Sequence, residues 1–222
     1  MAVETTPGVS EGTPEEPQVG AGGTAEQTDL PHVARDRGLG LWLVITGLVA
    51  AAASFLLLYE RIQLWQDNSH STACDISPWV SCGQVMESWQ ASTFGFPNIF
   101  IGVVGFPLII AIGVGLLGRL SLPRWYWVGL QTGVLFALGF CIWLWSQAVY
   151  VIGALCPYCM VVWAAVIPMA AAVTARNIIH GVVPAGEGLQ RAAREWWWVA
   201  ALLLYLAVAA SIIVMFPQIL AF

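Results

Sequence analysis

The sequence predicts an all-α integral membrane protein: a four-helix transmembrane bundle plus a fifth, C-terminal transmembrane helix. Three observations carry this reading. Of the 222 residues, 59% are hydrophobic and 9% charged, where an ordinary soluble domain carries about a quarter charged residues. The mean hydropathy is +0.76. The few charges leave long apolar runs between them, and the arginines gather at alternate ends of those runs.

A hydrocarbon core of about 30 Å is crossed by roughly 20 apolar helical residues. Leu39 to Tyr59 supplies the first span and stops at Glu60 and Arg61. Asn98 to Leu117 supplies the second, with Pro107 as a kink that a membrane helix tolerates. No charge occurs between Arg124 and Arg176, a stretch too long for one helix and right for two. The turn signal inside it is G-A-L-C-P: Gly153, then Pro157 at a first helical position. Trp125 to Val151 is therefore the third span and Pro157 to Ala175 the fourth. Trp196 to about Phe216 is the fifth.

Residues 1–38 read as a disordered tail. They are rich in Pro, Gly, Glu and Thr, lack aromatics, and hold seven of the acids but two of the arginines. Such a segment buries too little apolar surface to offset its ordering entropy. It also lacks the basic region and closely following apolar stretch of a signal peptide. The net charge of -5 resides entirely in this tail, so it implies no charged substrate, and no nucleic-acid partner is expected.

The positive-inside rule sets the orientation. With a cytoplasmic N-terminus, Arg35, Arg37, Arg119, Arg124, Arg176, Arg191 and Arg194 fall inside and Arg61 alone falls outside. The loop 61–97, the turn at Cys156 and the C-terminus are then external. Residues 179–195 form a cytoplasmic linker, and 196–222 carry the fifth helix. The plasma membrane is the expected location. Trp125, Trp127 and Trp196 to Trp198 sit at interfacial positions.

This topology sorts the five cysteines. Cys74 and Cys82 lie in the outer loop, as C-D-I-S-P-W-V-S-C; Cys156 and Cys159 form C-P-Y-C at the outer end of the fourth span. Disulfides persist on that oxidising side. Cys141 lies roughly 22 Å down its helix from Cys156 at about 1.5 Å per residue, and reads as a small buried hydrophobe.

Three readings of C-P-Y-C stand side by side. It can be a static disulfide. It can join Cys74, Cys82 and His70 in a metal site, although the loop spacing is loose for zinc. Or it can be a redox pair. As N-cap of the fourth-span helix, Cys156 has a thiolate stabilised by the helix dipole and free N–H groups. Cys159 follows on the same face and dips toward the apolar phase. No dinucleotide fingerprint or haem attachment motif is present. For a dithiol at lipid depth, the natural electron acceptor is a membrane quinone. Ion transport is disfavoured: spans two to four hold only neutral polar groups such as Gln131, Thr132, Ser146, Gln147 and Thr174.

Residues 40–178 resemble the vitamin K epoxide reductase family, and more closely its bacterial members. The resemblance rests on the Cys74/Cys82 loop pair, on Ser88 six residues after Cys82, and on the later C-P-Y-C at the fourth helix. It implies a four-helix catalytic core over 39–178. Cys74 and Cys82 would be a shuttle pair and Cys156 and Cys159 the active-site pair, with no metal. Ser88 and Asn98 would sit at the quinone, menaquinone or ubiquinone. Trp163, in Val162-Trp163-Ala164, takes the place of the tyrosine of the animal enzymes, and its indole N–H can donate as the phenol did.

In the relay so implied, Cys156/Cys159 pass electrons to quinone, Cys82 attacks Cys156, and Cys74 resolves the bridge. The loop disulfide then oxidises a separate thioredoxin-like, DsbA-type protein on the outer face. Gly83 and Gly95 are candidate flexible points, and Trp79 and Trp89 candidate bilayer anchors. The other quinone-linked family of disulfide generators, DsbB-like, has its cysteine pairs in the opposite order. A non-enzymatic metal-binding or transport protein is the remaining alternative.

Overall fold

The computed structural model describes residues 30–67 and 71–217. Among the described residues there are seven α-helices: α1 (Asp36–Gln66), α2 (Cys82–Glu87), α3 (Ile99–Leu117), α4 (Arg124–Gln147), α5 (Pro157–Ile179), α6 (Glu187–Glu195) and α7 (Trp197–Met215). Among the described residues, α1, α3, α4 with its extension to Ile152, α5 and α7 are long and apolar enough to cross a membrane. The protein is an all-α membrane protein.

Four of the five expected spans coincide with their helices to within a few residues. α1 differs, beginning at Asp36 and running on to Gln66. Glu60, Arg61 and Gln63 end an apolar run but are good helix formers, so the helix outlasts the span. Part of the expected disordered tail, 1–38, is structured, with α1 beginning at Asp36. His32–Ala34 form a 3-10 turn with Val33 and Ala34 buried, because apolar side chains there find the bundle; residues 1–29 of that tail, and His70, lie outside the described residues. The linker 179–195 is not all loop. Glu187 and Arg191 lie one turn apart, the acid first, and Arg194 closes the last turn, so charge pairing and the helix dipole favour α6.

α3 packs on α1, α1 on α5, and α5 on both α4 and α7. The antiparallel α1–α3 seam uses small residues. A Cβ on Gly40 would sit 2.8 Å from Gly113 O, one on Gly113 would meet Gly40 O at the same distance, and one on Gly102 would strike Ser54 Oγ. Such small-on-small seams are how membrane helices approach closely without a hydrophobic drive. α3 and α4 hardly touch each other, and the gap between them becomes the cavity described below.

The bundle has two dissimilar ends. The far end, where α1 starts and α5 stops, is closed by a polar cluster. Asn177, fully buried, donates to Gln131 Oε1 at 2.8 Å, and Gln131 Nε2 donates to Thr174 Oγ1 at 2.9 Å. Arg176 pairs with Asp36 at 3.2 Å and lies 3.3 Å from the Trp127 ring centroid. The other end carries the cysteines.

Candidate active site

The α4–α5 turn builds the first half of the site. α4 ends in one π-type turn, Ala148–Ile152, and Gly153 follows at φ +72, a left-handed conformation that glycine adopts without strain. The chain then enters α5 with Pro157 at the first helical position and Cys156 as N-cap. Cys156 Sγ accepts the Cys159 N–H at 3.4 Å, as a capping oxygen would. Its thiol is held below the ordinary thiol pKa. The main cause is the hydrogen bond from the Cys159 side chain, helped by the Cys159 and Tyr158 backbone N–H groups and opposed by burial and the Asp75 charge. Cys156 is thus a thiolate-prone sulfur, 1% exposed.

The loop supplies the second half. Leu155 N–H donates to Trp79 O at 2.8 Å and Ser81 N–H to Leu155 O at 3.0 Å, a short parallel pairing that lays the loop beside the residue preceding Cys156. Ser81 then caps α2, accepting from Gln84 N–H at 3.2 Å, which makes Cys82 the first residue of a helix. Cys74 and Cys82 are joined as a disulfide with Cα atoms 5.6 Å apart. Cys82 Sγ lies 3.2 Å from Cys156 Sγ, within the roughly 3–3.5 Å of a near-attack arrangement.

Asp75, the one acid between the loop cysteines, ties this half together. Its carboxylate accepts from Ser81 Oγ at 2.6 Å, Gly83 N–H at 3.1 Å and Thr72 N–H at 2.8 Å. Burial pushes its carboxyl upward, but these hydrogen bonds outweigh that and hold it below the ordinary value. The sulfurs sit in an apolar nest of Leu57, Leu64 and Met86, and Cys74 is 4% exposed. Arg61 donates to Met86 O at 2.6 Å and so covers the end of α2.

Beneath Cys159 lies a cavity of about 550 Å³ between α3 and α4. Its walls are apolar, with Ile99, Phe106, Val134 and Val166 among them, and with Asn98, Cys159 and Trp163 at its border. Leu108, Trp125 and Phe136 also line it and are 60%, 72% and 52% exposed on the bundle surface, so the cavity opens sideways through the helix wall. Its upper side is covered by the 88–97 segment. Phe94 packs on Phe140 at 5.4 Å and Trp89 edge-on to Trp143 at 6.2 Å. A flat apolar ring of ligand size fits such a space.

The six remaining sequence-predicted positions divide. Asn98 does not cap α3 with its side chain. Its Nδ2 donates to Gln90 O at 2.6 Å, and its buried Oδ1 has no partner. Trp163, 6% exposed, lines the cavity. Ser88 does not: its hydroxyl donates to Val85 O at 2.7 Å, because α2 ends there and leaves that carbonyl without a helical donor. Cys141 is buried and free, and it too faces the cavity. Gly95 has φ +81 with open space around it, whereas Gly83 is held by Asp75. Among the described residues, no three His, Cys, Asp or Glu side chains gather as a metal site. Two participants escaped sequence reasoning. Asp75 was signalled only as a lone charge between cysteines. Leu155 acts through backbone atoms and leaves no signal.

The arrangement brings together an oxidised pair, a second pair in reach of it, and an apolar cavity beneath the second pair's inner thiol. A search of the curated proteins finds no match to the chain. Residues 41–174 match the model of the vitamin K epoxide reductase family. That match covers more than half of the sequence and holds all four of the paired cysteines, and so the chain belongs to the vitamin K epoxide reductase family of membrane thiol–disulfide oxidoreductases.

Proposed function

We propose that the protein generates disulfides on the outer face of the plasma membrane, passing electrons from a separate thioredoxin-like protein to a membrane quinone. The observation that carries this is the 3.2 Å approach of Cys156 Sγ to Cys82 Sγ while Cys159 borders the apolar cavity. The far end holds Asp36, the Arg176–Asp36 pair and Arg124, and seven of the eight arginines belong to that side by sequence. This supports a cytoplasmic far end and N-terminus, and an external cysteine end.

The reduced Cys156/Cys159 pair gives up two electrons and two protons and closes to a disulfide. A quinone held in the cavity would supply the two-electron sink and take up both protons. Asn98 and Trp163 would hold its ring, since Asn98 keeps an unpartnered buried Oδ1 and both border the cavity. A Cys82 thiolate then attacks Cys156 Sγ: the Cys82–Cys156 bond forms and Cys159 leaves as a thiolate. Cys74 attacks Cys82, Cys156 leaves, and the Cys74–Cys82 disulfide results. The observed pairing corresponds to that last state, with Cys156 stabilised as leaving thiolate by its cap position. A partner dithiol finally reduces Cys74–Cys82 and becomes oxidised.

The test is anaerobic addition of menaquinone or ubiquinone analogues to the fully reduced protein, followed by acid quench, alkylation and mass analysis. A Cys156–Cys159 or Cys74–Cys82 disulfide is expected within the turnover time, with one quinol formed per disulfide. Cysteines that all stay reduced with every quinone overturn the proposal.

A further inference from the structure

The last helix, α7, which like α6 lies outside the family match, touches the proposed relay at two places although it borders neither the cavity nor one of the four paired cysteines. The first is at Pro168. A proline inside a helix has no N–H for the carbonyl four residues earlier, here Ala164. Tyr205 of α7 donates its hydroxyl to Ala164 O, one residue from Trp163. The second is at the outer end of α7. Phe216, 3% exposed, packs into a cluster with Val149 and Leu155, flanked by Trp145 and Ile212. Leu155 is the residue whose backbone N–H and C=O carry the loop, and Cys156 is next in the chain.

We propose that α7 is a positioning element for thiol exchange. Phe216 backs Leu155 and thereby fixes the Cys82–Cys156 approach, while Tyr205 holds α7 in register along α5. Phe216 is a positioning residue and takes no part in the bond changes. The proposal rests on the relay described above. The step it governs is attack by the Cys82 thiolate on Cys156 Sγ, which forms the Cys82–Cys156 bond, breaks Cys156–Cys159 and releases Cys159 as a thiolate. A turn that is free to shift loses alignment rather than reactivity, so the oxidation of Cys156/Cys159 itself is spared.

The full chain in detergent, carrying Cys74→Ala so that the bridge cannot resolve, reports this step directly. After reduction, oxidation is started with a quinone and, in parallel, with diamide, and the Cys82–Cys156 bridge is timed by mass. Phe216→Ala is expected to slow the bridge by about tenfold or more, the scale on which small misplacements act. Phe216→Leu is expected to restore it, and Tyr205→Phe to slow it a few-fold. In a Cys82→Ala background, Phe216→Ala leaves the rate of Cys156–Cys159 closure unchanged. A bridge formed at the parent rate in Phe216→Ala overturns the proposal, as does equal slowing of bridge and closure. A bridge that forms with diamide alone breaks the quinone reading and still reports the Phe216 effect.

Discussion

At the far end, Asn177 sits wholly buried and is satisfied on several sides. Its side chain donates to Gln131 Oε1 at 2.8 Å, and its backbone O accepts from Val182 and Val183 N–H at 2.8 and 3.1 Å. At the cysteine end, Cys156 is as deeply buried, yet its side chain lies against another sulfur at 3.2 Å. The first end is held by hydrogen bonds between helices whose loss would strand polar groups in an apolar interior. The second is held by one disulfide, two backbone hydrogen bonds at Leu155 and the Asp75 carboxylate. Each of these involves the loop. The bundle is thus held by hydrogen bonds between helices at one end and by loop contacts at the other, and under the proposed relay the second end is the one that exchanges partners.

Removing a sulfur should separate the ends most sharply. Cys82→Ala is expected to abolish thiol oxidation of a protein partner while leaving Cys156/Cys159 oxidation by quinone intact. Partner oxidation that continues would show that electrons bypass the loop. Thermal unfolding of this variant, followed by tryptophan fluorescence, should keep the far-end contribution.

Asn177→Ala should do the reverse. It strands Gln131 Oε1 and is expected to cost about 1–3 kcal/mol, read by denaturant or thermal unfolding in detergent. Iodoacetamide should label Cys156 at the parental rate. A changed Cys156 rate would mean that the two ends are coupled through α5.

The smallest effect concerns pH. Because the pKa of Cys156 is lowered in the folded protein, its thiolate persists as pH falls below the ordinary thiol range of about 8.5. In chains with the loop disulfide intact, Cys156 labelling should therefore half-rise below that pH. Cys159→Ala removes the largest cause of the lowering, so its profile should move upward. A profile that stays in place would leave the backbone N–H groups as the source of the effect.

Much of this was legible in the sequence. Spans follow from apolar run length, and α3, α5 and α7 begin and end within a few residues of where charges and prolines place them. The Cys156 cap was legible because Pro157 marks a helix start by its fixed φ. The extension of α1 past Tyr59 was not, since the end of an apolar run says nothing about the end of a helix. Ser88 shows the same limit: spacing from Cys82 identified the residue, but which way its hydroxyl turns depends on where α2 stops.

Composition, charge spacing and cysteine placement by themselves determined that this is a helical membrane protein with two cysteine pairs at one end, because lipid admits few ways to satisfy a backbone. Tertiary structure alone decided that Asp75 gathers both sides of the loop and that α7 braces Leu155 and Ala164, and it put the Cys82–Cys156 approach, which the family resemblance had implied, at 3.2 Å. The α7 contacts join residues far apart in the chain, and the Asp75 and Leu155 contacts run partly through backbone atoms that every residue shares, so no residue pattern encodes them.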